Sequence, residues 1–263
     1  MNDVANRAVT ESGASAALDG LLIHPAKEWT YYGPLNVYGS CNRMAMGLLA
    51  LADFAVRKGH NVRVLHTGIE RVLDPKFDIA NVLRERRPLC VGLSIHFHHS
   101  LVDAVRLIRE IRVACPDAFI FAGGFTASWF ATDLLETMSE LDAVIRGDAE
   151  LPLDALLGAV KSGGALDGID NLVWRRDGAV VDNGQEYVVT EEILNDLTFT
   201  RFDLLDHGDQ YRLMRKAYIR TNLPAALTRQ MNNVISKQRT YYFWGLPVGR
   251  GCPFRCFYCG GGA

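Results

Sequence analysis

Leu89-Cys90-Val91-Gly92-Leu93-Ser94-Ile95 is the stretch on which the fold turns. It is almost entirely apolar, as a β-strand is when both faces of its sheet are covered. Outward from it, the pattern alternates. Asp78 to Arg87 reads as a helix on one side, and Leu101 to Ala114 on the other, with Val105, Ile108 and Ile111 or Arg112 at turn spacing. Asn61 to His66 is the strand before. Ala118 to Ala122 is the strand after, ending in Gly123-Gly124.

The same alternation continues in both directions. Leu21-Leu22-Ile23 is a short strand, followed by a long aromatic loop, Pro25 to Ser40, and a helix from Asn42 to Lys58 with Ser40 as its cap and Gly59 as its stop. Thr126 to Met138 is a helix, Ala143 to Ile145 a strand and Leu151 to Lys161 a helix. Five β-α units in succession predict an α/β fold, a parallel sheet wrapped by helices. Right-handed crossovers make a flavodoxin-like (Rossmann-like) five-stranded sheet of order 2-1-3-4-5 the leading topology. Such sheets bind ligands at the carboxyl ends of their strands, at the switch between strands 1 and 3. The loops that matter are therefore Pro25 to Ser40, His96 to Ser100 and Gly123 to Thr126.

The predicted organisation is a mobile tail over 1–18, the α/β domain over 19–163, a connector or cap over 164–240, and the start of another domain over 241–263. The connector begins with Asn171 to Arg175 and Ala179 to Asp182 around Asp177-Gly178, a strong hairpin turn signal. Glu191 to Asp209 reads as irregular and Gln210 to Ser236 as mostly helical. Of 263 residues, 49% are hydrophobic and 22% charged, a globular composition. A net charge of −2 provides no basic field for nucleic acid. No apolar run approaches the roughly 20 residues of a membrane span, and the polar N-terminus lacks the apolar core of a signal peptide.

Three of the six cysteines close the chain in Gly251-Cys252-Pro253-Phe254-Arg255-Cys256-Phe257-Tyr258-Cys259. The others, Cys41, Cys90 and Cys115, are scattered, with no disulfide-like framework. Thiolates are the usual ligands of iron–sulfur clusters, and a cubane normally takes four. Three at spacing C-x3-C-x2-C leave one iron open to a substrate or cofactor. A zinc site is the bland alternative, but zinc usually takes four protein ligands, and the second C-x2-C knuckle is missing.

The cysteine motif, with Tyr258 before the third cysteine and the Arg250-Gly251-Cys252-Pro253 approach, resembles that of the radical S-adenosylmethionine (SAM) enzymes. A flavodoxin-like domain placed before it resembles the cobalamin (B12)-binding members of that family. The resemblance implies a [4Fe-4S] cluster on Cys252, Cys256 and Cys259, SAM beside Tyr258, and reductive cleavage of SAM to a 5′-deoxyadenosyl radical. It also implies cobalamin in the first domain, able in many members to carry a methyl group to substrate, and an electron donor such as flavodoxin or ferredoxin. A cluster-binding trio implies the reducing cytoplasm.

Of three cobalamin-domain signals, two have counterparts. Ser94-Ile95-His96 stands where the family has S-x-L, and Gly123-Gly124 stands after strand 4. The Gly pair suits the close backbone approach that a bulky nucleotide tail requires. Ser94, His96, Gly123 and Gly124 are thus the candidate cobalamin residues. His98 and His99 crowd the same loop; His96 or His98 could approach cobalt, although ordinary hydrogen bonds serve them equally. Trp29, Tyr31 and Tyr32 suit packing on the corrin or burial against a helix. Arg146-Gly147-Asp148-Ala149-Glu150 resembles the family's G-E-G-E stretch, and its carboxylates also suit a helix start.

D-x-H-x-x-G is absent after strand 1, where Pro25-Ala26-Lys27-Glu28-Trp29 stands. That keeps open a radical SAM enzyme whose first domain no longer binds cobalamin; a cobalamin-binding module without catalysis is the other alternative. The family's core is a partial (β/α) barrel, on the order of 150 to 200 residues even when compact. Only its first strand and cluster loop are expected here, so the sequence is expected to be a fragment, inactive by itself. The substrate, a small molecule or a peptide, is not readable from these residues.

Overall fold

The computed structural model describes residues 17–25, 46–74, 76–96 and 101–210, together with Leu227 and Gln230. The cysteine motif, Tyr258, Cys41, His98, His99, Trp29, Tyr31 and Tyr32 lie outside the described residues, as do the tail over 1–16 and the helix expected over 210–236, apart from Gln210, Leu227 and Gln230.

The centre is a sheet of β1 (Gly20–His24), β2 (Val62–His66), β3 (Cys90–Ser94), β4 (Phe119–Gly123), β5 (Ala143–Ile145), β6 (Leu172–Arg176) and β7 (Ala179–Asp182). Its order is β2-β1-β3-β4-β5-β6-β7. The first five strands are parallel, in the order read from the sequence. The sheet nevertheless has seven strands rather than five. β6 pairs antiparallel with β5, and β7 with β6. Asp177 and Gly178, both at positive φ (49° and 84°), make the turn between them. The physical reason is burial on both sides. Leu172 and Trp174 join the core on one face and Val173 on the other, so β6 covers the open edge of β5.

Helices cover both faces. On one side α3 (Ile79–Arg86), α4 (Leu101–Ala114) and α6 (Ala131–Thr137) bury Leu83, Ile108, Ile111 and Leu135 against Leu21, Ile23, Val91, Leu93 and Ile120. On the other, α1 (Met46–Arg57) and α7 (Glu150–Ser162) bury Leu49, Ala52, Leu153 and Leu156 against Leu22, Val64, Phe121 and Ile145. Period-2 alternation along β1 therefore feeds two cores. Gly92 sits on the second face because the Phe121 ring occupies the place of a side chain. A Cβ there would lie 2.4 Å from Phe121 Cζ and 2.9 Å from Leu22 Cδ2.

Three local features depart from the sequence reading. The helix expected over Thr126 to Met138 is two, α5 (Phe125–Trp129) and α6, which meet at Phe130. The first is tied to the end of β3 through Thr126 and Ala127 N–H groups donating to Ile95 O, and the second turns to bury Leu134 and Leu135. A short α2 (Thr67–Leu73) follows β2, with the His66 side chain accepting from Gly68 N at its start. The stretch Glu191 to Asp209 holds α8 (Glu191–Asp196), capped by Thr190, and a 3-10 turn at Phe202–Leu204.

This last stretch is a belt around the domain. Tyr187 N donates to Asn171 Oδ1 and Val189 N to Asp148 Oδ2 beside β5. Leu197 then packs on Ala50 and Phe54 of α1. Arg201 pairs with Asp53 at 2.9 Å, and the buried Asp206 carboxylate takes both Arg63 and Arg86. Leu205 bridges Val64 in the parallel sense, and His207 reaches Glu70 of α2 at 2.9 Å. Running parallel to β2, residues 205–207 return the chain to the carboxyl edge of the sheet.

Candidate functional site

The parallel register brings four strand ends to one edge. His24 of β1 lies opposite His66 of β2, and Ser94 of β3 lies opposite Gly123 of β4. The neighbours of β1 are β2 on one side and β3 on the other, so the direction of winding reverses here, and a crevice opens where loops diverge. All four described candidate residues, Ser94, His96, Gly123 and Gly124, stand at this edge. Ser94 is half-buried, and His96 is exposed with its ring 6.0 Å from that of Phe125.

The two glycines do different work. Gly124 has φ 96°, and a Cβ on it would lie 3.1 Å from both C and O of Ile95. It lets the start of α5 lie against the backbone that leaves β3; Ile95 N donates to Gly123 O, and Thr126 Oγ1 to His96 O. Gly123 is under no such constraint. The nearest atom to a Cβ there is Ile145 O at 3.6 Å, ordinary contact. Among the described residues, therefore, no side chain fills the place of a Cβ at Gly123, and its backbone can be approached closely.

The loop after β5 is occupied structurally. Asp148 holds Val189, Asn171 Nδ2 donates to Asp148 O, and Arg146 pairs with Asp182 at 2.5 Å. Glu150, the first residue of α7, is fully buried. These partners tie the loop to the belt and hairpin.

Two histidines were missed by the sequence reading. The His24 and His66 rings lie 4.6 Å apart, tilted by 48°. The available signal was that β1 and β2 read Leu-Leu-Ile-His and Arg-Val-Leu-His, two parallel strands each ending on an imidazole. His24 Nδ1 is buried without a hydrogen-bond partner. Burial first, then the neighbouring His66 and His96, push the His24 imidazole down to about 3. No three His, Cys, Asp or Glu side chains among the described residues form a group that could hold a metal ion.

A pH dependence follows. His24 stays neutral in the fold and protonates near 6.5 in the unfolded chain. Its contribution to stability is full above about 6.5 and is lost as pH falls towards 3, because the unfolded state then binds the extra proton. Urea midpoints measured from pH 7 to pH 4 are expected to fall less steeply for His24→Phe than for the parent. Superimposable profiles would contradict a buried neutral imidazole.

The described domain matches known proteins over this architecture. The B12 binding domain model matches residues 44–157, from just before α1 into α7. Over 215 residues the chain is 26% identical to the hopanoid C-3 methylase of Methylococcus capsulatus, covering 81% of this chain and 35% of that protein. Over 224 residues it is 21% identical to the anaerobic magnesium-protoporphyrin IX monomethyl ester cyclase of a Synechocystis species, covering 82% and 37%. The chain thus spans less than two fifths of either relative's length. Two solved structures are similar to it: the radical SAM methyltransferase TsrM of Kitasatospora setae with cobalamin and a [4Fe-4S] cluster (20% identity, 66% of this chain, 30% of that one, TM-score 0.49), and the cobalamin-dependent radical SAM enzyme OxsB (17%, 65%, 23%, 0.49). Among the described residues no helix is long and apolar enough to cross a membrane.

Proposed function

We propose that this chain is the cofactor-binding portion of a cobalamin-dependent radical SAM enzyme. The observation that carries the reading is a B12-binding-domain sheet followed in the same chain by Cys252-x3-Cys256-x2-Cys259. The site's chemistry fits a corrinoid: an approachable backbone at Gly123, a tight glycine turn at Gly124 and an unpartnered buried imidazole nitrogen at the β1–β3 switch. Ser94 and His96 would line that cofactor, Cys252, Cys256 and Cys259 would hold a [4Fe-4S] cluster, and Tyr258 would sit beside SAM.

With these groups bound, the enzyme has reductive SAM cleavage and, through the corrinoid, methyl transfer to substrate available to it. The chain's own contribution is placement. Gly123 keeps a side chain out of the corrinoid's path, and Gly124 lets α5 start against the backbone that leaves β3. Cys252, Cys256 and Cys259 would supply three of the four ligands that a cubane normally takes, leaving room for a further ligand. An electron donor such as ferredoxin or flavodoxin would supply the reducing equivalent in the cytoplasm.

Anaerobic reconstitution with iron and sulfide tests the second half. We expect iron–sulfur charge-transfer absorbance that Cys252→Ala/Cys256→Ala/Cys259→Ala abolishes, with corrinoid retention kept. Zinc uptake in place of iron, or a cluster that survives the triple substitution, would contradict it.

A further inference from the structure

We propose that His24 faces the bound corrinoid and supplies a nitrogen ligand to its cobalt. The inference rests on the corrinoid reading above and adds a residue to it. The usual source of such a ligand, a D-x-H-x-x-G segment after strand 1, is missing from this sequence, and the loop offers Pro25-Ala26-Lys27-Glu28-Trp29 instead.

Four observations converge on His24. It is the last residue of β1, the strand at which the winding of the sheet reverses, so it stands at the ligand edge. Its Nδ1 is buried and without a partner, a state that costs free energy unless a ligand completes it. Its neighbour is already committed: His66 Nδ1 accepts from Gly68 N and starts α2. His96, in contrast, is exposed on the loop beyond β3. Finally, burial keeps the ring neutral, and only a neutral imidazole has a lone pair for a metal. The tilted His66 ring at 4.6 Å then limits the orientations open to His24.

The test uses the chain grown uniformly in nitrogen-15, loaded with natural-abundance hydroxocobalamin, reduced chemically to the cobalt(II) state and examined by electron paramagnetic resonance. A protein nitrogen on cobalt splits each cobalt line into a doublet, whereas the cobalamin's own base gives a triplet. The expected result is a doublet, lost on His24→Phe, which keeps a ring of similar size beside His66. His66→Phe provides the comparison and should keep the doublet if it remains folded by circular dichroism. A triplet, unsplit lines, or a doublet unchanged by His24→Phe would overturn the inference while leaving corrinoid binding intact. A folded chain that retains no corrinoid would overturn the binding reading and this inference with it.

Discussion

Gly123→Trp is expected to abolish retention of hydroxocobalamin while leaving the thermal transition close to that of the parent. The expectation comes from the contrast between the two glycines at the end of β4. Among the described residues, a Cβ at Gly123 meets only Ile145 O at 3.6 Å, so the first side-chain atom is accepted without displacing them. The remaining indole atoms compete for the space a nucleotide tail would take. Overlap of this kind is worth about 3 kcal/mol, on the order of a hundredfold in affinity. Gly124→Ala is the wrong probe for the same question. At φ 96°, with Ile95 C and O at 3.1 Å, even a methyl group strains the backbone by roughly 1–2 kcal/mol. Its loss of binding would be inseparable from loss of structure. Equilibrium dialysis of the folded Gly123→Trp chain measures the effect directly, and parental affinity would mean that the corrinoid does not approach this edge.

The largest effect on stability is expected from Gly92→Ala. The added methyl would overlap Phe121 Cζ at 2.4 Å and Leu22 Cδ2 at 2.9 Å, in a core where Phe121 is 5% and Leu22 2% exposed. A ring this buried has little room to turn aside, and overpacking costs about 3 kcal/mol. For a domain of this size that lowers the melting temperature by roughly 6–12 °C. Phe121→Leu should recover part of the loss in the double variant, because the two positions share one space. Calorimetry checks both. A Gly92→Ala chain within about 0.5 kcal/mol of the parent would show that the second core is looser than its packing indicates.

Much of this was readable from the chain alone. The apolar run over Leu89 to Ile95 and the helix Leu101 to Ala114 are set by patterns inside their own windows, and both stand where expected. So does Ala143 to Ile145, with its neighbours fixed by the handedness of crossovers. The Asp177-Gly178 turn was equally local. What was not local was the destination of that hairpin. Nothing within residues 172–182 says that Leu172, Val173 and Trp174 close the edge of β5, because the demand for closure belongs to the sheet. α8 was missed although Thr190, followed by Glu191 and Glu192, is an ordinary helix start. The belt was illegible for a different reason: its ion pairs join Asp53 to Arg201 and Asp206 to Arg63 and Arg86, across more than a hundred residues of chain.

The candidate site divides in the same way. Ser94, His96, Gly123 and Gly124 could be read because each stands in a short motif at a strand end. His24 and His66 belong to no motif. They become neighbours only when β1 and β2 pair in register, and the neutral state of His24 arises from burial that the pairing creates. Pairing of this kind is visible to sequence only after a strand order has been assumed.

The most direct test of the central claim is retention of hydroxocobalamin by the purified chain, kept anaerobic and passed through a desalting column, followed by absorbance. The account predicts corrin bands that co-elute with protein in near-stoichiometric amount. A well-folded chain that emerges colourless would contradict corrinoid binding at the carboxyl edge and leave the cysteine motif without a second cofactor beside it.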